Sequence, residues 1–199
     1  MIITDAKTRI RWALTMQSKD QIALQLIQWI KFQEHQYGKR VRIIFRDGGT
    51  EFSPTKEYCE KHGIRTDVSA PYTPEQNGAS EAANKVILRK ARSLLIDAGM
   101  PALYWPWAVQ HACFITNRLY CLRTNKVPII GFLEVLQQPH NEKVNFTNLP
   151  RFGCGAYKLI DPKQGKFDPR AEMGWFVGFQ TNTNKNYIIY HPRWTPSYG

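Results

Sequence analysis

Two acidic residues in this sequence stand where their side chains could meet and hold a divalent metal ion. Asp47 follows a short apolar run, residues 43–45, with only Arg46 between them, and such a run is typical of a buried strand. Glu81 comes just after a loop rich in proline and glycine, at the start of a long helical pattern. Carboxylate oxygens are the ligands that Mg²⁺ and Mn²⁺ prefer, and paired ions of this type support phosphoryl chemistry. Taken alone, an Asp and a Glu this far apart are more often unrelated surface acids.

The elements that would position these acids follow one another in an α/β order. Residues 1–17 read as two short strands around a turn, and Ser18 opens an amphipathic helix with Gln21 in capping-box position. Gly38 is placed to end that helix. The later elements are a strand over 41–46, a helix over 55–62, a strand over 65–68 and a helix from about 80 to 98. This order predicts a mixed sheet flanked by helices.

Three basic residues follow Glu81 on the last of these helices. Lys85, Arg89 and Arg92 lie four, eight and eleven positions after Glu81. At about 100° per residue, these offsets keep all three within roughly 80° of the direction of Glu81. A basic stripe beside a metal ligand suits the phosphate backbone of DNA. An ordinary solvated face of a basic protein explains the same pattern equally well.

The stretch that carries both acids resembles the integrase core of copia-type retrotransposons. Residues 47–52 read D-G-G-T-E-F, and residues 71–84 read P-Y-T-P-E-Q-N-G-A-S-E-A-A-N. The family patterns are D-N-G-T-E-F and P-Y-T-P-x-Q-N-G-x-x-E-R-x-N. The resemblance implies an RNase H-like fold and DNA integration by strand transfer that depends on Mg²⁺ or Mn²⁺. It also makes Asp47 and Glu81 the second and third acids of a DDE metal triad, and an active integrase of this kind implies a homo-oligomer.

The sequence departs from the family pattern at several points. The two acids are separated by 81 − 47 − 1 = 33 residues, slightly fewer than usual, and Gly48 and Ala82 replace an Asn and a basic residue. The family's first Asp lies in an H-x-D-x-x-G-P segment, which occurs nowhere in these 199 residues. Residues 5–12 resemble the family's second strand instead, so Asp5 is not expected to be the first triad acid.

We therefore expect the first, central strand of the RNase H-like sheet to be missing from these residues. Its two neighbouring strands would then either keep unpaired edges or close up and pair with each other in a new register. Because two metals cannot be held by only two carboxylates, strand transfer should be lost or severely impaired.

The overall composition narrows the class of partner and the compartment. A net charge of +11 and a pI of about 9.6 indicate a polyanionic partner, either DNA or RNA. No apolar run approaches the about 18 residues of a membrane span, and the start does not read as a signal peptide. The four cysteines contain no C-x-x-C pair and read as reduced thiols of an intracellular protein. A functional integrase would be nuclear, although no targeting signal is visible.

The C-terminal part changes to short β runs separated by turns. Residues 152–157, 166–170 and 174–179 resemble the SH3-like barrel that follows the copia-type core. Between core and barrel we expect an aromatic-rich helical segment at 100–119, whose aromatic side chains serve packing, and a short helix at 129–136. The expected divisions are a core at 1–120, a helical linker at 121–148 and a barrel at 149–195.

The sequence thus predicts an α/β protein with an RNase H-like mixed sheet and a small SH3-like barrel. Its predicted function is that of a copia-type integrase core that binds nucleic acid and is catalytically incomplete. The alternatives are a nucleic-acid-binding remnant without chemistry and a fragment without a selected function.

Overall fold

The computed structural model describes residues 1–46, 49, 52–68, 74–141, 144–160, 169–180 and 186–191, and of residues 74–80 it describes the helical backbone. The expected α/β order is confirmed over these ranges. The elements, in chain order, are β1 (Ile2–Thr4), β2 (Arg11–Ala13), α1 (Ile22–Tyr37), β3 (Ile43–Arg46), α2 (Ser53–Lys61), β4 (Arg65–Val68), α3 (Pro74–Asp97), α4 (Trp105–Thr116), α5 (Pro128–Val135), β5 (Gly155–Leu159), β6 (Ala171–Phe179) and β7 (Tyr187–Tyr190). Short 3₁₀ turns precede α1 and α4.

The packing divides the chain into two compact units. The first comprises residues 1–86 and 117–142, and the second comprises residues 87–116 and 143–199. The helix α3 runs from one unit into the other. The divisions expected from the sequence, at 120 and 148, stay a prediction. Within the described ranges, no helix has the length and apolar composition that crossing a bilayer requires.

The four strands of the first unit form two separate pairs among the described residues. β1 and β2 are antiparallel, with Ile3 opposite Trp12, and β3 and β4 are parallel, with Phe45 opposite Asp67. No described residue links the two pairs into one sheet. The expected direct pairing between a strand of residues 1–17 and the strand that precedes Asp47 therefore does not occur there.

A shared apolar cluster holds both strand pairs in the first unit. Leu26 and Ile30 of α1 pack with Cys59 of α2 and with Ile64, and all four side chains are buried. Half-buried residues that pack against this cluster come from β1 (Ile3) and from β3 (Ile44). Cys59 and His62 have the C-x-x-H spacing that some metal sites use. Because the Cys59 side chain belongs to this core, packing explains its position instead. All four cysteines lie within the described ranges and are thiols that form no disulfide there.

The helix α1 follows the sequence pattern closely, except at its start. Ile22, Leu26 and Ile30 recur at intervals of four and form its buried face, and Gly38 ends the helix with a φ of +62°. The expected capping box is wrong, because the Ser18 side chain makes no capping hydrogen bond. The Gln21 side chain instead accepts a hydrogen bond from the backbone N–H of Gln17, at 3.2 Å.

The helix α3 starts earlier than the sequence suggested. It begins at Pro74, not near Ser80, because proline is well tolerated in the first turn of a helix, where its missing N–H has no partner to lose. Its buried face leaves out two of its large apolar residues. Val86 and Leu88 are exposed, and the buried positions are Ala83, Ile87 and Ala91.

The second unit is built around aromatic side chains that pack between α4 and a three-stranded sheet. β5, β6 and β7 form this antiparallel sheet, and no closed barrel is seen among the described residues. The expectation that the aromatic residues of 100–119 serve packing is confirmed for Trp107 and Phe114, which contact rings from the sheet, but not for Trp105, which is exposed. The buried His111 is surrounded by Phe114, Phe152, Phe176 and Phe179.

Candidate metal and nucleic-acid site

Glu81 lies on the exposed face of α3 in the first unit. Its carboxylate is 65% exposed, and an oxygen lies 4.0 Å from the Lys85 ammonium, which is 75% exposed. Asp47 directly follows β3 in the sequence but lies outside the described residues. The meeting of Asp47 and Glu81 on one metal therefore stays a prediction.

The chemistry of Glu81 fits the role of a hard-metal ligand. An exposed i,i+4 ion pair of this kind contributes only about 0.3–0.5 kcal/mol, so Lys85 does not hold the carboxylate away from a cation. Within the described ranges no three His, Cys, Asp or Glu side chains come together as a possible metal site. Asp47, the second ligand that the sequence predicts, lies outside those ranges.

The predicted basic stripe lies on the solvent side of α3. Lys85, Arg89 and Arg92 are all exposed, on the same side of the helix as Glu81 and away from its buried alanine and isoleucine side chains. This placement leaves the three cations accessible to a polyanion. Their contact with DNA stays a prediction.

Asp5, the acid rejected as the first triad member, has a structural use in the turn between β1 and β2. Its Oδ2 accepts two hydrogen bonds from Thr8, one from the backbone N–H and one from the hydroxyl, both at 2.7 Å. The backbone of Asp5 also exchanges hydrogen bonds with Arg9 and Ile10 across this turn. The carboxylate therefore stabilises the turn that sets the register of the hairpin.

Asn117 is a positioning residue whose role the sequence did not reveal. It is only 5% exposed, and its side chain binds the backbone of Arg11 in β2 with both ends of the amide. Its Oδ1 accepts from the Arg11 N–H at 2.8 Å, and its Nδ2 donates to the Arg11 carbonyl at 2.7 Å. The side chain thus replaces a neighbouring strand at one edge of β2. The only sequence signal was the resemblance of Asn117-Arg118 to an N-R pair of the family.

Comparison with known proteins connects the whole chain to transposon polyproteins. It is 30% identical over 192 residues to a retrovirus-related Pol polyprotein from transposon RE1 of Arabidopsis thaliana, which covers 96% of the chain. It is 31% identical over 181 residues to the corresponding polyprotein from transposon TNT 1-94 of Nicotiana tabacum, which covers 89% of the chain. The chain spans 13% of the length of each of these relatives.

Solved structures and a domain family agree with this connection. The fold matches the catalytic core domain of BIV integrase with a TM-score of 0.53 at 18% identity, over 68% of this chain and 86% of that one. It matches the catalytic core domain of HTLV-2 integrase, solved in complex with magnesium in a trimeric form, with a TM-score of 0.50 at 17% identity, over 65% of this chain and 80% of that one. Residues 154–194 match the retroviral polymerase SH3-like domain. The resemblance seen in the sequence is confirmed. The chain has the fold of an integrase catalytic core, followed by an SH3-like domain.

Proposed function

We propose that this chain is the catalytic-core and SH3-like part of a copia-type retrotransposon integrase and binds DNA, and that an active integrase of this kind works in the nucleus as a homo-oligomer. The observation that carries the proposal is the 30% identity to a transposon Pol polyprotein over 96% of the chain. The integrase-core fold and the net charge of +11 support it, because the fold can carry carboxylates at strand and helix ends and the charge favours a nucleic-acid partner.

In this proposal, Asp47 and Glu81 bind a divalent cation, Mg²⁺ or Mn²⁺. When bound, such a cation lowers the pKa of an attacking hydroxyl and neutralises charge on the leaving oxygen. Glu81 would hold the cation through its carboxylate, and the Lys85 ammonium, now only weakly paired with Glu81, would bind a phosphate. Arg89 and Arg92 extend the same exposed face and orient the DNA backbone along α3.

The proposal also includes a catalytic deficit. A DDE site needs three carboxylates, and the H-x-D-x-x-G-P context of the first is absent from the 199 residues. The two hydrogen bonds from Thr8 support this part of the proposal, because they give the Asp5 carboxylate a role in its own turn. We expect this chain to bind DNA but not to transfer strands.

The test is a strand-transfer and nicking assay on duplex DNA with Mg²⁺ or Mn²⁺. Residues 1–199 should bind the duplex and give no product. Activity that disappears in Asp5→Asn would show Asp5 to be the first acid. Activity that survives Asp5→Asn but is lost in Glu81→Gln would show that two carboxylates suffice. Either result overturns the proposed deficit.

A nucleic-acid-binding protein without chemistry is the second candidate, favoured by the exposed cations of α3. Replacing Lys85, Arg89 and Arg92 by alanine should lower the slope of log K against log [salt] by roughly 0.9 for each phosphate that the variant no longer binds. The control replaces three exposed cations elsewhere, Lys7, Lys19 and Arg123, and should leave the slope unchanged.

Divalent metal separates the two candidates. For an integrase site, Mn²⁺ should strengthen duplex binding in the wild-type chain and not in Glu81→Gln, because Glu81 holds the cation near the phosphates. Binding that is indifferent to both Mn²⁺ and Glu81→Gln would instead favour the non-enzymatic protein.

A further inference from the structure

A basic pocket lies in the first unit, where α1 ends and β3 begins. It encloses about 590 Å³ and is lined by two short segments of the chain, residues 38–42 and residues 62–63. It adjoins the amino end of β3, whereas Asp47 follows the carboxyl end of β3 in the sequence. A four-residue strand separates its ends by about 10 Å, so the pocket is distinct from the predicted metal site.

The charges of the pocket are all of one sign. Lys39, Arg40 and Arg42 line it, all three are exposed, and the lining contains no carboxylate. Among the described residues, no Asp or Glu comes within 4.0 Å of their cationic nitrogens. Glu34 contacts this segment, but its Oε1 accepts from the backbone N–H of Val41 at 2.9 Å and so fixes the loop. Three cationic residues thus line one pocket without a described counter-charge.

His62 adds an imidazole ring in a fixed orientation. Its Nδ1 donates to the Tyr58 carbonyl at 2.8 Å, and its ring stacks on the Tyr58 ring with centroids 4.0 Å apart. These contacts hold the ring at the wall of the pocket.

The ends of α1 and α2 offer a simpler explanation for these cations, since basic residues are favoured at helix C-termini. Each helix end carries only about half a negative charge, and the two together balance about one of the three cations. The last carbonyls of α2 are also already in use, because His62 binds the Tyr58 oxygen and the Ile64 N–H binds the Cys59 oxygen at 2.8 Å. The helix ends therefore leave a clear excess of positive charge.

We propose that this pocket binds phosphate groups, at least two at a time. Two arginine forks and a lysine in adjacent positions suit closely spaced phosphate oxygens, which accept several charge-assisted hydrogen bonds at once. The phosphates come either from a nucleic-acid backbone or from a free polyphosphate. The site does not depend on the proposed integrase function, because it shares no residue with the metal site or with the stripe on α3.

The test compares a pocket variant with the control described above. The pocket variant replaces Lys39, Arg40 and Arg42 by glutamine, and the control makes the same change at Lys7, Lys19 and Arg123. Both variants lose three charges from exposed positions of the same unit. Binding of tripolyphosphate is measured by calorimetry, and binding of a short duplex is measured by anisotropy over a range of salt concentrations.

We expect the pocket variant to bind at least one of the two probes at least about tenfold more weakly than wild type. Removing even one charge-assisted hydrogen bond has roughly that effect. The control should stay within about threefold of wild type on the same scale. A salt slope for DNA that falls by roughly 0.9 per unbound phosphate only in the pocket variant identifies a nucleic-acid backbone as the source. Loss of tripolyphosphate binding with equal DNA slopes in the two variants identifies a free polyphosphate. Equal losses in the two variants for both probes, or no loss in the pocket variant, would overturn the proposal.

Discussion

Replacing Asn117 with alanine removes both hydrogen bonds that hold the backbone of Arg11. The side-chain amide accepts from the Arg11 N–H at 2.8 Å and donates to the Arg11 carbonyl at 2.7 Å. Asn117 is 5% exposed, so the alanine variant leaves these two backbone groups facing a protein interior in place of water. The edge of β2 would then have an unpaired donor and an unpaired acceptor.

The size of the effect follows from these two groups. Leaving a buried donor or acceptor unpaired costs about 1–3 kcal/mol, so two of them cost roughly 2–6 kcal/mol of unfolding free energy. For a chain of this size, each kcal/mol lowers the Tm by roughly 2–4 °C. A central loss of about 4 kcal/mol therefore lowers the Tm by roughly 8–16 °C.

Urea unfolding followed by tryptophan fluorescence measures this loss, with two further variants as comparisons. Asn117→Asp keeps an acceptor for the Arg11 N–H but puts an oxygen against the Arg11 carbonyl, so it should destabilise at least as much. Asn141→Ala removes an exposed amide and should change the unfolding free energy by less than about 0.5 kcal/mol. An Asn117→Ala variant as stable as Asn141→Ala would refute the reasoning.

Three other substitutions test separate parts of the structure. Asp5→Ala removes the acceptor of two hydrogen bonds in the first turn and should cost about 1–2 kcal/mol in urea unfolding, with a smaller loss in Asp5→Asn, which keeps one oxygen. Gly174→Ala would place a Cβ 2.5 Å from the Tyr190 carbonyl oxygen, so it should destabilise the sheet by about 1–3 kcal/mol or more and weaken hydrogen-exchange protection in β6 and β7. The hydrogen bond from Lys126 lowers the pKa of Glu134 in the folded protein. It therefore stabilises the fold at pH values above the pKa that Glu134 has in the unfolded chain, and this stabilisation disappears as the pH falls through the pKa of Glu134 in the folded protein. In Lys126→Met, an NMR titration should show a higher Glu134 pKa, and an unchanged pKa would contradict the assignment.

Much of the fold could be predicted because short-range patterns determine it. The spacing of Ile22, Leu26 and Ile30 together with Gly38 defined α1, and the β-branched run at Tyr187–Tyr190 gave β7 its observed bounds. These local patterns predict the elements correctly because the apolar face that each pattern creates is the face that is buried. The start of α3 was less predictable, since Pro74 is compatible both with a loop and with a first helical turn.

In the candidate site, too, local sequence patterns predicted some features and not others. Asp47 and Glu81 could be named because a contiguous motif surrounds each of them, although no spacing rule reports whether their carboxylates meet. The contact of Asn117 with Arg11 joins residues 106 positions apart, and no local pattern encodes it. The basic pocket was missed for a similar reason. Its cationic residues lie close together in sequence. The pocket that they line also includes His62, which follows α2 and comes near them only through the packing of that helix.

Manganese binding to the wild-type chain, measured by electron paramagnetic resonance, tests the central claim most directly. If Asp47 and Glu81 share a cation, Asp47→Asn and Glu81→Gln should each weaken Mn²⁺ binding by roughly tenfold or more, as expected when a charged ligand is removed, and the double variant should bind little more weakly than either. Asp5→Asn, once shown to be folded, should bind Mn²⁺ as the wild-type chain does. Unchanged Mn²⁺ affinity in both Asp47→Asn and Glu81→Gln, or a loss confined to Asp5→Asn, would contradict the account.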